Sequence, residues 1–260
     1  SEKELIISDK HEGIIELPMG TQIGLPVAEI LHLNDPVIEI EITPNRGDCL
    51  GVRGIARDLA ASGIGILKEL TVFEVEGEFD SSINWKIDLK EKEQYLCPKI
   101  FGRSFKNLEN KQSPVWMKNR LLAVDQRPIS SIVDITNYIM IDLGRPLHAY
   151  DIDKIEGNDL TIKKSKTGEK FYALNGKIYD LDNDMLVISD KHGVDDLAGI
   201  MGGERTGVTE STTHMFLEAA IFDPISIAQT GRKLNINSDA RYRFERGLDY
   251  ESPELVMNYA

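Results

Sequence analysis

The sequence predicts an α+β protein built on mixed sheets, and three observations carry that expectation. Strand-like and helix-like segments alternate without the regular βαβ order of a doubly wound fold. Asn175-Gly176 sits between Phe171 and Leu181, the strongest short-range hairpin signal in the chain. Two X-Pro pairs, Ser113-Pro114 and Asp223-Pro224, stand where helices should open, since proline is tolerated in a first turn.

Taken in order, Leu5 to Ser8, Gly13 to Leu17 and Val37 to Thr43 read as short strands, the last alternating as Val37-Ile38-Glu39-Ile40-Glu41-Ile42. Pro44 then ends the ladder. Asp48 is expected to cap a helix over roughly 49–62, with Leu50, Ile55 and Leu59 on one side and Gly63 as its stop. Residues 70–95 are strand-like but strongly charged and read as a connection into a second domain. Beyond Lys99, helices are expected from Pro114 to about Val124, after Asp223, and from Ser238 to Gly247. Met185 to Ser189 and His214 to Phe222 read as buried strands. Ser252-Pro253-Glu254 reads as the cap and acidic first turn of a last helix. The chain opens on Ser1 rather than Met, and that helix stops at Ala260, which together read as a designed fragment cut at both ends.

Composition narrows the function classes. The 260 residues carry 43 acidic and 30 basic side chains, a formal net charge of −13. A surface that grips nucleic acid everywhere needs the opposite balance, although a small basic groove on an acidic body is compatible with it. Cys49 and Cys97 show no disulfide framework and fit a reducing cytoplasm. No apolar run approaches the roughly 18 residues of a membrane helix, and no secretory leader pattern is visible. Familiar sites are eliminated one by one. The run from Gly202 to Thr209 has P-loop glycine spacing, but Val208 stands where lysine must reach phosphate. Lys68 occupies the third glycine of a would-be dinucleotide fingerprint after Gly63 and Gly65. No zinc-ligand spacing and no nucleophile elbow occur, so no metal or cofactor is expected in this chain.

Four features remain. Glu218 is the one polar residue in Phe216-Leu217-Glu218-Ala219-Ala220-Ile221-Phe222 and would share a strand face with Phe216, Ala220 and Phe222. A carboxylate there costs several kcal/mol unless paired. It is either a structural ion pair, an edge residue turned to solvent, or an acceptor facing a ligand. His148, in Gly144-Arg145-Pro146-Leu147-His148, is either a satisfied structural residue or a functional one on irregular backbone. Arg127 either caps a helix C-terminus or binds an anion. Gly202-Gly203 forms a tight turn or brings backbone N–H groups close to a ligand.

Six segments in order resemble the bacterial phenylalanyl-tRNA synthetase beta subunit. They are Ile42-Thr43-Pro44-Asn45-Arg46-Gly47-Asp48-Cys49-Leu50, Asp134-Ile135-Thr136-Asn137-Tyr138, Gly144-Arg145-Pro146-Leu147-His148-Ala149-Tyr150-Asp151, Gly202-Gly203-Glu204, Phe216-Leu217-Glu218-Ala219-Ala220, and the run from Ser238 to Gly247. The resemblance implies part of a small α/β N-terminal domain over 1–75 and an editing domain over 76–260. It implies that the region hydrolyses tyrosyl-tRNA(Phe) formed by mistake. Glu218 would recognise the phenol and His148 would hold the attacking water. Arg127, Thr136, Asn137, Gly202, Gly203, Ser238 and Ala240 would line the pocket. Ser238 stands where relatives often have threonine, which leaves the hydroxyl but removes a methyl from that wall. ATP and magnesium would belong to the parent enzyme, with none in this fragment. The implied partners are the alpha subunit, in an alpha2-beta2 assembly, and tRNA(Phe), all in the cytoplasm. Two non-catalytic alternatives are a scaffold for the alpha subunit and a tRNA-binding module.

Overall fold

The computed structural model describes residues 3–4, 11–17 and 19–260. Two helices come first, α1 (Val27–Ile30) and α2 (Val52–Ala61), followed by β1 (Asn84–Asp88) and β2 (Lys99–Phe105). Then come α3 (Val115–Ala123), α4 (Ser131–Leu143), β3 (His148–Asp151), β4 (Asp159–Lys164), β5 (Lys170–Tyr172), β6 (Ile178–Asp180), β7 (Leu186–Ser189), β8 (Val194–Leu197), β9 (Met201–Gly202) and β10 (Met215–Ile221). The last helices are α5 (Pro224–Lys233), α6 (Asp239–Phe244) and α7 (Ser252–Tyr259). No helix among the described residues is long and apolar enough to cross a membrane.

The expected α+β class is what the structure has. A five-stranded sheet runs β1-β4-β7-β8-β9, and a three-stranded sheet runs β2-β10-β3. The β1–β4 pair is parallel and the other pairs are antiparallel, so the larger sheet is mixed. β5 and β6 form the hairpin that Asn175-Gly176 predicts, with Gly176 at φ +75°.

β10 explains the layering. Its residues alternate between two apolar faces, as a strand buried on both sides must. Phe216, Ala220 and the following Phe222 enter a core shared with Tyr150, Leu160, Ile162, Ile188 and Leu197. Leu217 and Ala219 enter a second core with Ile132 and Ile139 of α4 and Val256 and Met257 of α7. The three-stranded sheet is therefore a middle layer between the larger sheet and a helical layer. Each fully buried aromatic or aliphatic side chain contributes about 1.5–3 kcal/mol relative to exposure.

Local signals hold where they satisfy helix ends. The Asp223 side chain accepts the Ser226 N–H at 2.8 Å, with Pro224 in the first turn. Ser238 accepts the Arg241 N–H at 3.1 Å. Gly144 ends α4 in the left-handed region at φ +69°, and Gly63 follows α2 at φ +84°.

Other expectations require correction. Leu5 to Ser8 lies outside the described residues. Gly13 to Leu17 and Val37 to Thr43 are not strands, because no neighbouring strand among the described residues supplies them with a ladder. Asp48 does not cap α2. It lies in a short 3₁₀ turn, Gly47–Cys49, engaged by Arg46 and Arg57, and Gly51 takes the cap position. Within 70–95, β1 is an integral edge of the larger sheet rather than a connection. Ser252 lies inside α7, its hydroxyl turned back to the Asp249 carbonyl at 2.6 Å.

Residues 47–61 seat closely on the α4–β3 junction and the end of α6. Arg243 Nε donates to the Leu50 carbonyl at 3.1 Å. A Cβ at Gly51 would lie 2.3 Å from the Gly144 nitrogen, and one at Gly47 would lie 2.7 Å from the Gly247 carbonyl oxygen. Backbone cannot yield as a side-chain tip can. Gly51→Ala should therefore destabilise the protein by about 2 kcal/mol or more. Gly65→Ala, which meets nothing within 4 Å, should cost far less. Denaturant unfolding of the two variants measures the difference.

Candidate functional site

Glu218 sits at the centre of β10, opposite Gly102 on β2 and His148 on β3. Its side chain enters the seam between the two sheets and is 5% exposed. The Tyr150 hydroxyl donates to Glu218 Oε2 at 3.0 Å and lies 3.3 Å from Oδ2 of Asp196, a β8 residue equally buried. The second oxygen of Glu218 makes no hydrogen bond with any described residue.

Electrostatics in this seam follow from dehydration. Burial pushes the Glu218 carboxyl up from 4.5 to about 7, although the Tyr150 hydrogen bond and the Arg145 charge both act the other way. Burial and then the Glu218 charge hold Asp196 well above the usual carboxylate range. The Tyr150 phenol is likewise raised well above 10, chiefly by burial. Arg145, 2% exposed, is lowered to about 10 by burial and stays cationic at neutral pH. It donates from Nη2 to the Ala220 carbonyl, while Nε and Nη1 have no partner among the described residues.

His148 forms the rim. Its ring stands edge-on to Tyr150 with centroids 4.4 Å apart, and its side chain is 21% exposed. Nε2 lies 3.4 Å from Asp196 Oδ2 but lacks hydrogen-bond geometry, so among the described residues the imidazole is held by packing. Burial lowers its pKa to about 4, which leaves it neutral and able to accept a proton. Gly202 makes room for it: a Cβ there would fall 2.2 Å from His148 Cε1. Gly203 donates its N–H to the Asp195 carbonyl at 2.7 Å, and a Cβ would meet that oxygen at 2.4 Å.

A second group lies around the N-terminus of α6. Ser238 caps that helix and donates its hydroxyl to the Ile200 carbonyl at 2.6 Å, so it tethers α6 to the approach of β9. Ala240 packs against the core shared by the sheets. Arg127 is exposed on the loop after α3 and makes no hydrogen bond or ion pair with a described residue. Its neighbour Gln126 reaches Asp239 at 3.4 Å, which brings that loop beside Ser238 and Ala240. Asp134 fixes the loop by accepting the Ser113 hydroxyl at 2.6 Å and the Ile129 N–H at 2.7 Å.

Comparison with known proteins decides the family. The model of the B3/4 domain matches residues 96–260. The chain belongs to the B3/4 domain family. It is also 51% identical, over 95% of its length, to the phenylalanine–tRNA ligase beta subunit of Paramagnetospirillum magneticum, and 52% identical, over 99%, to that of Bartonella henselae. The resemblance read from the sequence is thereby borne out. The chain spans about a third of those relatives, 31% and 32% of their lengths. A crystal structure of an N-terminal fragment of the phenylalanyl-tRNA synthetase beta-subunit from Pyrococcus horikoshii matches at 18% identity, over 72% of this chain and 58% of that one, with a TM-score of 0.39.

Within this B3/4 module the structure brings Glu218, His148 and Gly202 together in the seam, with Gly203 next to it against Asp195 and Phe171. Ser238 and Ala240 belong to the first turn of α6, and Gln126 brings the loop that carries Arg127 to Asp239 of that turn. Thr136 and Asn137 stand apart from Glu218, on α4, which packs against the opposite face of β10. The Thr136 hydroxyl is turned to the Val133 carbonyl at 2.7 Å. Sequence reasoning missed Tyr150, Asp196 and Arg145 as members of the site. Asp195-Asp196 inside Val194-Asp195-Asp196-Leu197-Ala198 carries the same signal that singled out Glu218, a carboxylate among apolar neighbours.

The folded Glu218 carboxyl titrates near 7 and the unfolded one near 4.5, so the folded state binds more protons between those values. This group's contribution to stability is complete below pH 4.5 and is lost as pH rises toward 7. Glu218→Gln should remove that loss, and its denaturation midpoint should gain on the native protein across that interval. Ser238→Ala should cost about 1–2 kcal/mol through the lost cap and tether, with Ser238→Thr recovering most of it. Denaturant titration measures both.

Proposed function

We propose that this module is part of a phenylalanine–tRNA ligase beta subunit and hydrolyses tyrosine esterified by mistake to tRNA(Phe). The observation that carries the reading is Glu218: a buried carboxylate with one oxygen bonded to Tyr150 and the other without a hydrogen bond among the described residues. An apolar synthetic pocket rejects an isostere bearing one added hydroxyl by only about 10²-fold. A second site inverts the selection. A phenol satisfies the vacant acceptor, whereas phenylalanine leaves it unpaired at a cost of about 1–3 kcal/mol, or more for an ionised group.

Glu218 is 5% exposed, so a ligand reaches it once a neighbouring side chain turns aside. His148, at the rim and held by packing among the described residues, is the group free to turn. Its neutral imidazole can take a proton from the water that attacks the aminoacyl ester. Arg127, exposed beside α6, supplies a cation for the phosphate of the RNA 3′ end, with Ser238 and Ala240 fixing the wall next to it. In this reading Gly202 and Gly203 admit the imidazole and close backbone packing, and Thr136 and Asn137 support the sheet from its far side. Residues 1–75 would belong to the beta subunit's N-terminal domain and 76–260 to the editing domain. The alpha subunit, within an alpha2-beta2 enzyme in the cytoplasm, would perform the ATP- and magnesium-dependent aminoacylation.

Deacylation of tyrosyl-tRNA(Phe) and phenylalanyl-tRNA(Phe) by the complete ligase tests the reading. Glu218→Ala should lower the preference for the tyrosyl ester by roughly tenfold to a hundredfold. His148→Ala should slow hydrolysis of both esters. An undiminished preference in Glu218→Ala would return Glu218 to a structural role and favour a scaffold or an RNA-binding module.

A further inference from the structure

Glu218 and Asp196 approach the Tyr150 hydroxyl from two different sheets, at 3.0 and 3.3 Å. A phenol carries one proton and donates one full hydrogen bond. It therefore satisfies one carboxylate and turns an oxygen lone pair toward the other. Two ionised acceptors in this geometry would repel each other and the phenol oxygen. The conflict ends when one carboxyl keeps a proton of its own and donates it to Tyr150, which in turn donates to its ionised partner.

Charge counting in the seam leads to the same requirement. From the segment before β3 comes Arg145, a buried cation, and from β3 comes His148, which is neutral. From the segment before β2 comes Cys97, a buried thiol whose pKa burial pushes up to about 12. From β8 comes Asp195, bound by Arg205 and Asp190 outside the seam. One cation, shared with Asp249, acts on Glu218, and none among the described residues acts on Asp196; a buried pair of like charges with so little counter-charge keeps a proton. Arg145 acts on Glu218 and favours its ionised form. Asp195 acts on Asp196 and disfavours its ionised form.

We propose that Asp196 holds this proton and donates it to Tyr150, so that Tyr150 is aimed at Glu218 and Glu218 stays an ionised acceptor. Asp196 is then a positioning residue that sets specificity for the phenol-bearing ester, an inference that rests on the reading of Glu218 given above. An ionised Glu218 offers its vacant oxygen to a ligand phenol in a charge-assisted bond, roughly twice as strong as a neutral one. Without the proton on Asp196, Tyr150 would divide its donation and the acceptor would lose its fixed direction.

The test uses the complete ligase above pH 7, where Glu218 is ionised. Infrared difference spectra should show a protonated-carboxyl band in the native enzyme that Asp196→Asn removes and that shifts in native enzyme carrying 13C-labelled aspartate but not 13C-labelled glutamate. A band that shifts with labelled glutamate instead, or no band lost in Asp196→Asn, overturns the proposal. In ester hydrolysis, Asp196→Ala should lower the tyrosyl preference about tenfold, and Asp196→Asn, which can still donate to Tyr150, should restore it to within about threefold of native. Equal impairment in both variants would mean that a charge on Asp196 is needed, and would also overturn it. Loss of the Glu218 reading shows separately, as a native tyrosyl preference in Glu218→Ala, whatever the infrared result.

Discussion

The arrangement of two carboxylates around one phenol hydroxyl dictates how the site is built. Glu218, Asp196 and Tyr150 are buried where two sheets meet, so each must find its partner inside the protein. Removing one leaves another dehydrated and unpaired, which costs more than the hydrogen bond itself contributes. This explains why the middle layer is so tightly specified. β10 must present Glu218 toward the larger sheet while Leu217 and Ala219 face the helices, and a register slip of one residue would exchange those faces.

Close approaches then arise from the same seam. Gly202 lacks a side chain because the His148 ring occupies that space, and Gly102 on β2 leaves room for Phe216 and Trp85. Ser238 ties α6 to the Ile200 carbonyl, so the helix that carries Ala240 is fixed to the strand that seats His148. The rim is less constrained: His148 is held by packing and Arg127 by no bond at all among the described residues. A rigid, dehydrated floor under a looser rim is the distribution expected of a site that must open to admit a ligand.

Much of this was legible in the sequence where the signal is local. Asp223-Pro224 and Asn175-Gly176 act within a few residues, and each produces the cap or turn expected of it. Glu218 was legible because a lone carboxylate in an apolar strand needs an explanation. Asp196 carried the same signal and was passed over, whereas Tyr150 was not singled out because its role exists only once β8 and β3 converge on β10, which no spacing encodes. The alternation from Val37 to Ile42 predicts a strand, yet strand formation needs a neighbour, and among the described residues none runs beside it. Asp48 failed as a cap for a similar reason: Arg46 and Arg57 compete for its carboxylate and hold it in a 3₁₀ turn.

Under the proposed function, the vacant oxygen of Glu218 receives a phenol. A structure of the complete ligase with a non-hydrolysable 3′-tyrosyl-adenosine analogue is the sharpest test of that contact. The ligand's phenol oxygen should lie within about 3 Å of Glu218, with the Tyr150 bond retained and the His148 ring displaced from the rim. A phenol bound elsewhere, with the Glu218, Tyr150 and Asp196 cluster closed as it is here, would remove Glu218 from substrate recognition.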